Sequence, residues 1–314
     1  KDLKTLVVEG ARYTLTLDTL RETPKFVHDL LLGANVGPKD PNFIYADFHA
    51  HIKETEKISY VIAEASKRVD LIVIVSRDEE ERKNHMNLDL AVQKLEEEKV
   101  EHVKLGKRAV KVKNGKEDFY LLSGTETYVK ENQGVVIIGN ENDLTKGRFL
   151  DDVVRIASDW GANWFFDHIF SVPAPVIAFR YPTKEEVKQK KEWAEKYRPV
   201  VETGNHQNTL WMFPSNVAAR RFAKENGLTG IANSDSHFRV KELGLSRNGI
   251  PKESFDGSSE ESILNSLRTA LSHKNKDKLI VEHGYSSIWS FGSYMLIPNF
   301  LKLIGLRKKH ETFS

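Results

Sequence analysis

Cysteine is absent from all 314 residues. That one absence removes disulfide scaffolds, thiolate zinc sites, iron–sulfur clusters and cysteine nucleophiles. Whatever chemistry the chain performs must use histidine, carboxylates or hydroxyls. An excess of one charge is also lacking: 47 Lys and Arg stand against 45 Asp and Glu, a formal +2. Bulk electrostatics therefore supplies no strong nucleic-acid signature. No uninterrupted apolar run reaches the roughly 18 residues needed to span a bilayer, and no signal-peptide pattern opens the chain. Its first residue is Lys1 rather than Met, which leaves room for a segment ahead of it. With 39% hydrophobic and 29% charged residues, the composition predicts a soluble, cytoplasmic globular protein.

What is present is a rhythm. Residues 1–42 carry mixed signals, alternating at 13–17 and helical around 26–32, and read as an N-terminal cover. From residue 43 short apolar runs alternate with amphipathic stretches, as β/α units around a parallel sheet do. The runs are 43–48, 71–75, 119–123, 135–138, 163–166, 200–202 and 230–232, with 279–282 as a late extra. Seven such strands fit a barrel or a large open sheet. Ile58, Val61, Ile62 and Ala65 fall on one helical face after Thr55 as a plausible cap. Residues 78–99 read as one long charged helix anchored by Met86, Leu88, Leu90, Val92 and Leu95. Pro214, Ser215 and Asn216 open another helix. Asn114-Gly115 turns a hairpin between 109 and 122. Residues 43–283 are the expected barrel. Residues 284–314 form a separate C-terminal segment, rich in aromatic and aliphatic side chains and ending in Arg307-Lys308-Lys309.

Five of these runs end in a residue type that binds metal. Residues 43–48 lead into His49-Ala50-His51, 121–125 into Glu126, 163–167 into His168, 199–201 into Glu202, and 231–234 into Asp235-Ser236-His237. In a parallel α/β barrel the strand ends converge on one face, so these residues would share one bowl. Carboxylates crowded beside imidazoles there need a cation to neutralise them. Imidazole and carboxylate ligands suit zinc, manganese or iron alike. His28, His85, His102, His273, His283 and His310 lie off this pattern and read as ordinary structural histidines.

The order of these motifs resembles the PHP family, the polymerase and histidinol phosphatase metal-dependent phosphoesterases. The likeness runs from about Asp47 to Arg268, through Asp47-Phe48-His49-Ala50-His51, Ser123-Gly124-Thr125-Glu126, Asp167-His168, Glu202-Thr203-Gly204-Asn205 and Asn233-Ser234-Asp235-Ser236-His237. The resemblance implies a distorted (β/α)7 TIM-like barrel holding one to three divalent ions (Zn, Mn or Fe). His49, His51, Glu126 and Asp235 would hold the first, Glu126 and His168 would contribute to the second, and His237 to the third; Glu202 is a further strand-end ligand. The sequence departs from the family pattern at Glu54-Thr55-Glu56-Lys57, at Ser76-Arg77-Asp78 and at residues 134–139, where further histidines are usual. Asp78 then stands as a substitute ligand, and Lys57 or Arg77 as a substitute positive charge.

The expected activity is hydrolysis of a small-molecule or nucleotide phosphoester by a metal-activated water. Asp235 and His237 serve as the catalytic pair, and Arg77 and Arg239, with Lys241 near them, hold the substrate phosphate. Two alternatives accompany it: a degenerate barrel that binds metal or a phosphorylated ligand as a regulatory or scaffold module, and an amidohydrolase-like carbon–nitrogen hydrolase. The C-terminal segment is expected to pack on the barrel or to contribute a homo-oligomer contact, with a membrane surface as the less favoured partner.

Overall fold

A computed structural model describes residues 16–76, 85–115, 117–140, 144, 147–174, 178–208, 212–237 and 239–291. In chain order the elements are α1 (Leu17–Leu32), β1 (Phe43–Ala50), α2 (Ile58–Ala65), β2 (Leu71–Ser76), α3 (Leu88–Glu97), β3 (His102–Lys104), β4 (Ala109–Asn114), β5 (Glu117–Tyr128), β6 (Gly134–Ile138), α4 (Leu150–Asp159) and β7 (Asn163–Asp167). They continue with β8 (Val172–Ala174), β9 (Ala178–Arg180), α5 (Lys184–Tyr197), β10 (Val200–Asn205), α6 (Phe213–Glu225), β11 (Gly230–Asn233), β12 (Arg247–Pro251), α7 (Glu260–Leu271), β13 (Ile280–Glu282) and α8 (Ile288–Phe291). Among the described residues no helix is long and apolar enough to cross a membrane.

The main sheet runs β11-β10-β7-β6-β5-β2-β1-β12-β13, with the β3–β4 hairpin attached to β5. It curls into a nearly closed barrel of mixed direction. β1, β2 and β5 are parallel neighbours, as are β7, β10 and β11. β6 runs antiparallel to both β5 and β7, and β12 antiparallel to β1. All seven sequence-predicted runs are strands, but residues 135–138 run against the expected direction. β12 carries no apolar alternation: Arg247-Asn248-Gly249-Ile250-Pro251 has the look of a turn, and tertiary pairing overrides it.

The ends of the sheet are sealed by amide side chains in place of a ladder. Ala232 N–H donates to Asn248 Oδ1 at 2.8 Å, and Asn248 Nδ2 donates to the Ala232 carbonyl at 2.6 Å. Phe48 N–H donates to Asn233 Oδ1 at 3.0 Å, and Asp235 N–H to the His49 carbonyl at 2.8 Å. These bonds satisfy backbone groups that a gap between strands would leave buried and unpaired.

Period-two alternation sorts the strand residues. Ala46, Phe48, Val73, Val75, Leu122, Val136, Phe165, Ile231 and Ile250 pack in one cluster, joined by Ile263, Leu264 and Leu267 of α7. Ile72 and Ile74 pack outward on α2 and α3. Val135, Ile137, Phe166 and Val201 pack on α4, α5 and α6. α2 buries Ile58, Val61, Ile62 and Ala65 as its spacing predicts. Its cap is not Thr55: Ile58 and Ser59 N–H donate to Glu98 at 2.9 and 3.0 Å, so a carboxylate from the end of α3 satisfies those amides. The expected helix over 78–99 is shorter, starting at Leu88 behind Asn87, whose Oδ1 accepts from Leu90 N–H at 2.8 Å. Residues 77–84 lie outside the described residues, as do 13–15 and 292–314. The strand-like alternation expected up to residue 17 gives way at Leu17 to a helix capped by Thr16.

Candidate metal centre

His49, His51, Glu126, His168, Glu202, Asp235 and His237 come together at one end of the barrel, buried or nearly so. β1 delivers the first two. Its register with β2 shifts between Asp47 and Ala50, and this irregularity changes the phase of the strand after Phe48. Asp47 holds the shift in place: Oδ1 accepts from His49 and Ser234 N–H at 3.3 and 3.1 Å, and Oδ2 from Gly244 N–H at 3.1 Å. His168 and Asp235 both have φ of 46°, a left-handed conformation uncommon for residues with a side chain. His168 directly follows β7 and Asp235 lies two residues past the end of β11, and each turns its side chain into the cluster.

The nitrogen pairing is informative. His51 Nδ1 lies 2.9 Å from the Val75 carbonyl, which can only accept, so Nδ1 carries the proton and Nε2 a lone pair. His49 Nδ1 faces the Glu202 carboxylate at 3.3 Å and is likewise the donor. The two Nε2 atoms nonetheless sit 3.0 Å apart. Something positive must stand between two facing lone pairs, either a proton on one or a cation shared by both. Glu126 Oε2 lies 3.9 and 3.3 Å from these nitrogens, and Asp235 Oδ1 lies 3.5 Å from each. A tetrahedral ion with ligands about 2.1 Å away has ligand–ligand edges of roughly 3.4 Å. The separations from the two nitrogens, 3.0 to 3.9 Å, lie around that edge length, and a single proton could serve only two of the atoms.

Charge balance points the same way. Burial alone would push the His49 pKa down, but the Asp167 and Asp235 carboxylates, with Glu126 and Glu202, raise it well above the ordinary imidazole range. Burial, followed by Glu202 and Glu126, pushes Asp167 well above the usual carboxylate range. His49 Nδ1 and His168 Nε2 lie 3.4 and 3.2 Å from Asp167 Oδ1. Yet neither Asp167 oxygen, nor Asp235 Oδ1, has a donor in hydrogen-bonding geometry. Buried carboxylates of this kind fit a divalent cation. Glu202 differs. Burial would raise its pKa, but His49 and His168 bring it down to about 2, and its oxygens accept from Asn233 Nδ2 at 2.9 Å and Asn205 Nδ2 at 2.8 Å.

Three neighbours escape a search for strand-end ligands. Asp167 is one, although it directly precedes His168. Asn205 is another: its amide reaches Glu202 Oε2, His168 Nδ1 at 3.0 Å and Asp235 Oδ2 at 3.2 Å, oriented by the Gln207 N–H bond to its Oδ1 at 2.8 Å. The third is His85, read from sequence as a structural histidine; its ring centroid lies 5.5 Å from that of His51. Lys53, Glu56 and Arg239 line a cleft beside His51 and His237. Arg239 is exposed there, as are Lys57 and Lys241 at their own positions. Arg77 and Asp78 lie outside the described residues. β6 contributes no ligand from its C-terminal end because the strand is reversed. Its first residue, Gly134, pairs with Asp167, and a Cβ there would lie 2.9 Å from Asp167 Oδ2.

Residues 214–270 match a family model described as PHP-associated. Of the motifs quoted above, this segment contains Asn233-Ser234-Asp235-Ser236-His237. No curated protein matches it. Among solved structures it is similar to PsfC from Pseudomonas syringae, with 12% identity, 85% of this chain and 100% of that chain covered, and a TM-score of 0.48. It is also similar to the lesion-specific endonuclease Q of Pyrococcus furiosus, at 11% identity, 73% and 56% coverage and a TM-score of 0.41. Endonuclease Q in complex with a 27-mer duplex bearing an abasic lesion gives 14%, 72%, 57% and 0.44. The chain thus matches little more than half of each endonuclease Q chain. The buried His/Asp/Glu groups could hold a metal ion, and the PHP-associated match covers the segment that carries Asp235 and His237.

Proposed function

We propose that the protein is a metal-dependent phosphoesterase. The observation that carries the metal is the facing pair of His49 and His51 Nε2 atoms, each with its Nδ1 already committed. In this reading His49, His51, Glu126 and Asp235 hold one divalent ion (zinc, manganese or iron), and Asp167 and His168 with Glu126 form a second ligand group. Glu202 orients His49 in place of binding the ion directly, because its oxygens are occupied by the two asparagines; outer-shell partners of this kind fix imidazole tautomers. A bound ion would acidify water and polarise a phosphoryl oxygen. Asp235 positions the attacking water and His237, at the more open side, relays its proton. Arg239 and Lys53 at the cleft receive the anionic phosphate, Arg239 through its planar fork.

The substrate is read as a small-molecule or nucleotide phosphoester, reached through this narrow cleft. The test is metal content per chain by elemental mass spectrometry, together with turnover of phosphomonoesters, phosphodiesters, an abasic-site duplex and a cyclic amide. Bound metal with ester cleavage, both lost in His49→Ala and Asp235→Ala, is the expected result. Cleavage of the cyclic amide alone would transfer the assignment to carbon–nitrogen hydrolysis. Metal bound without any turnover would make the barrel a binding module, and full ester turnover in Asp235→Ala would overturn the mechanism.

A further inference from the structure

We infer that Lys190, on the inward face of α5, is a positioning residue for the metal centre: acting through Gln133, it fixes the peptide that joins Asp167 to His168. The inference rests on the metal reading of the cluster. Val187, Lys190, Trp193 and Ala194 are the buried residues of α5, at the spacing of a helix face that meets a core. Val187, Trp193 and Ala194 pack there with Phe166 and Val201. Lys190 takes the remaining place on that face and is only 2% exposed. An apolar side chain would fill the same place without the cost of desolvating an ammonium group.

That ammonium has one hydrogen-bond partner among the described residues, Gln133 Oε1 at 2.6 Å. The Trp193 ring centroid lies 5.5 Å away. Glu186, one turn earlier on α5, is engaged by Arg180 at 2.8 and 2.7 Å. Burial pushes the Lys190 pKa down to about 8, against the opposing pull of Glu186.

Lysine donates and cannot accept, so Lys190 fixes Gln133 Oε1 toward α5 and turns the Gln133 amide nitrogen to the other side. There Nε2 donates to the carbonyls of Gly134 at 2.9 Å and Asp167 at 2.5 Å. Gln133 is itself buried, and its carbonyl accepts from Val129 N–H at 3.0 Å in the turn between β5 and β6. The Asp167 carbonyl belongs to the same peptide as His168 N–H, which donates to Glu202 Oε2 at 3.4 Å. One peptide is thus held at both of its polar ends. Its orientation sets the His168 φ of 46°, a conformation that persists only where the surroundings enforce it. With it go the directions of the Asp167 and His168 side chains, which form a ligand group with Glu126.

The experiment compares metal-stripped wild type with Lys190→Met, Gln133→Met, the double variant Lys190→Met/Gln133→Met and, as a packing control on the same face of α5, Val187→Ala. Calorimetry gives the manganese Kd, the visible absorption of the cobalt-loaded protein reports ligand geometry, and a circular dichroism melt of the stripped protein reports folding. Lys190→Met should raise the Kd at least about tenfold, as loss of an outer-shell partner does, and shift the cobalt band. Its melting temperature should equal or exceed that of wild type, because a buried charge has been replaced by an apolar group. Gln133→Met should show the same change in Kd and spectrum, and the double variant should add nothing to it, since Lys190 acts through Gln133. Val187→Ala should melt at a lower temperature with the wild-type Kd and spectrum. Wild-type Kd and spectrum in Lys190→Met, with binding still lost in His49→Ala, would overturn the role of Lys190 and leave the metal centre standing. A further loss in the double variant would overturn the route through Gln133. If Lys190→Met does not fold, wild-type affinity in Gln133→Met overturns the clamp on its own. Absence of any divalent binding in wild type would remove the metal reading and this inference with it.

Discussion

Gly134 shows how much of the candidate metal centre depends on a single missing side chain. A Cβ there would press on Asp167 Oδ2 and Cβ at 2.9 and 3.4 Å. Asp167 cannot move away easily, since it is fully buried beside His49 and His168. Gly134→Ala is therefore expected to displace the carboxylate and to weaken metal binding while leaving most of the fold intact. A calorimetric Kd for manganese raised at least about tenfold, with a melting temperature lowered by only a few degrees, would match that expectation; an unchanged Kd would count against Asp167 as a contributor. At this scale the sequence is a good guide to ligand types, because His-x-His and Asp-x-His keep their chemistry wherever the chain places them. It is a poor guide to orienting groups. Asn205 and Asn233 act through distances to Glu202, His168, Asp235 and Phe48, which sequence does not contain.

Among the elements, α1 is built against the usual pattern. Leu17, Leu20, Leu31 and Leu32 are exposed, while Thr19, Phe26 and Asp29 are buried. The buried side is a polar clamp around one aromatic. Phe26 stacks on Phe213 at 4.1 Å and meets Tyr285 edge-on. Glu22 Oε1 takes hydrogen bonds from His283 Nε2 at 2.7 Å and Tyr285 Oη at 3.1 Å, with Arg220 at 3.3 Å. Partial burial would raise the Glu22 pKa, but His283, Arg220 and Tyr285 outweigh it and bring it down to about 2. A carboxylate depressed in the folded state stabilises above its unfolded pKa, and that stability is lost as pH falls. The window here runs from 4.5 down to about 2. Urea unfolding of wild type should therefore lose stability across that range relative to Glu22→Gln, and parallel pH curves for the two proteins would refute the clamp. The helix itself was legible near residues 26–32. Its start at Leu17 was not, because the apolar spacing describes the face that is exposed.

For the whole molecule, closure is the decisive event. β11 and β12 meet through Asn248, whose amide pairs both backbone groups of Ala232 and also reaches the Ala46 carbonyl at 3.3 Å. Asn248→Leu would leave the Ala232 N–H and carbonyl buried without these partners. At about 1–3 kcal/mol for each of the two unsatisfied groups, the loss should be roughly 2–6 kcal/mol. The midpoint of chemical denaturation measures it, and a loss below about 1 kcal/mol would show that the seam closes by other means. Because Asn233 on the same seam accepts from Phe48 N–H through Oδ1 and donates to Glu202 Oε1 through Nδ2, closure and site geometry are coupled.

Local pattern alone determined the strands and the chemistry offered at their ends. Alternation with period two and helical spacing are properties of neighbouring residues, and they placed all seven predicted strands, the hairpin at Asn114-Gly115 and the residues His49, His51, Glu126, His168, Glu202, Asp235 and His237. Tertiary structure decided what no local pattern encodes. It reversed β6, recruited the polar stretch Arg247–Pro251 as a strand, committed each Nδ1 of the His-x-His pair to its acceptor, and carried His85 to the side of His237. Strand direction, pairing partner and the distance between two side chains are set by contacts between residues far apart in the chain, whose free energy depends on the packed whole.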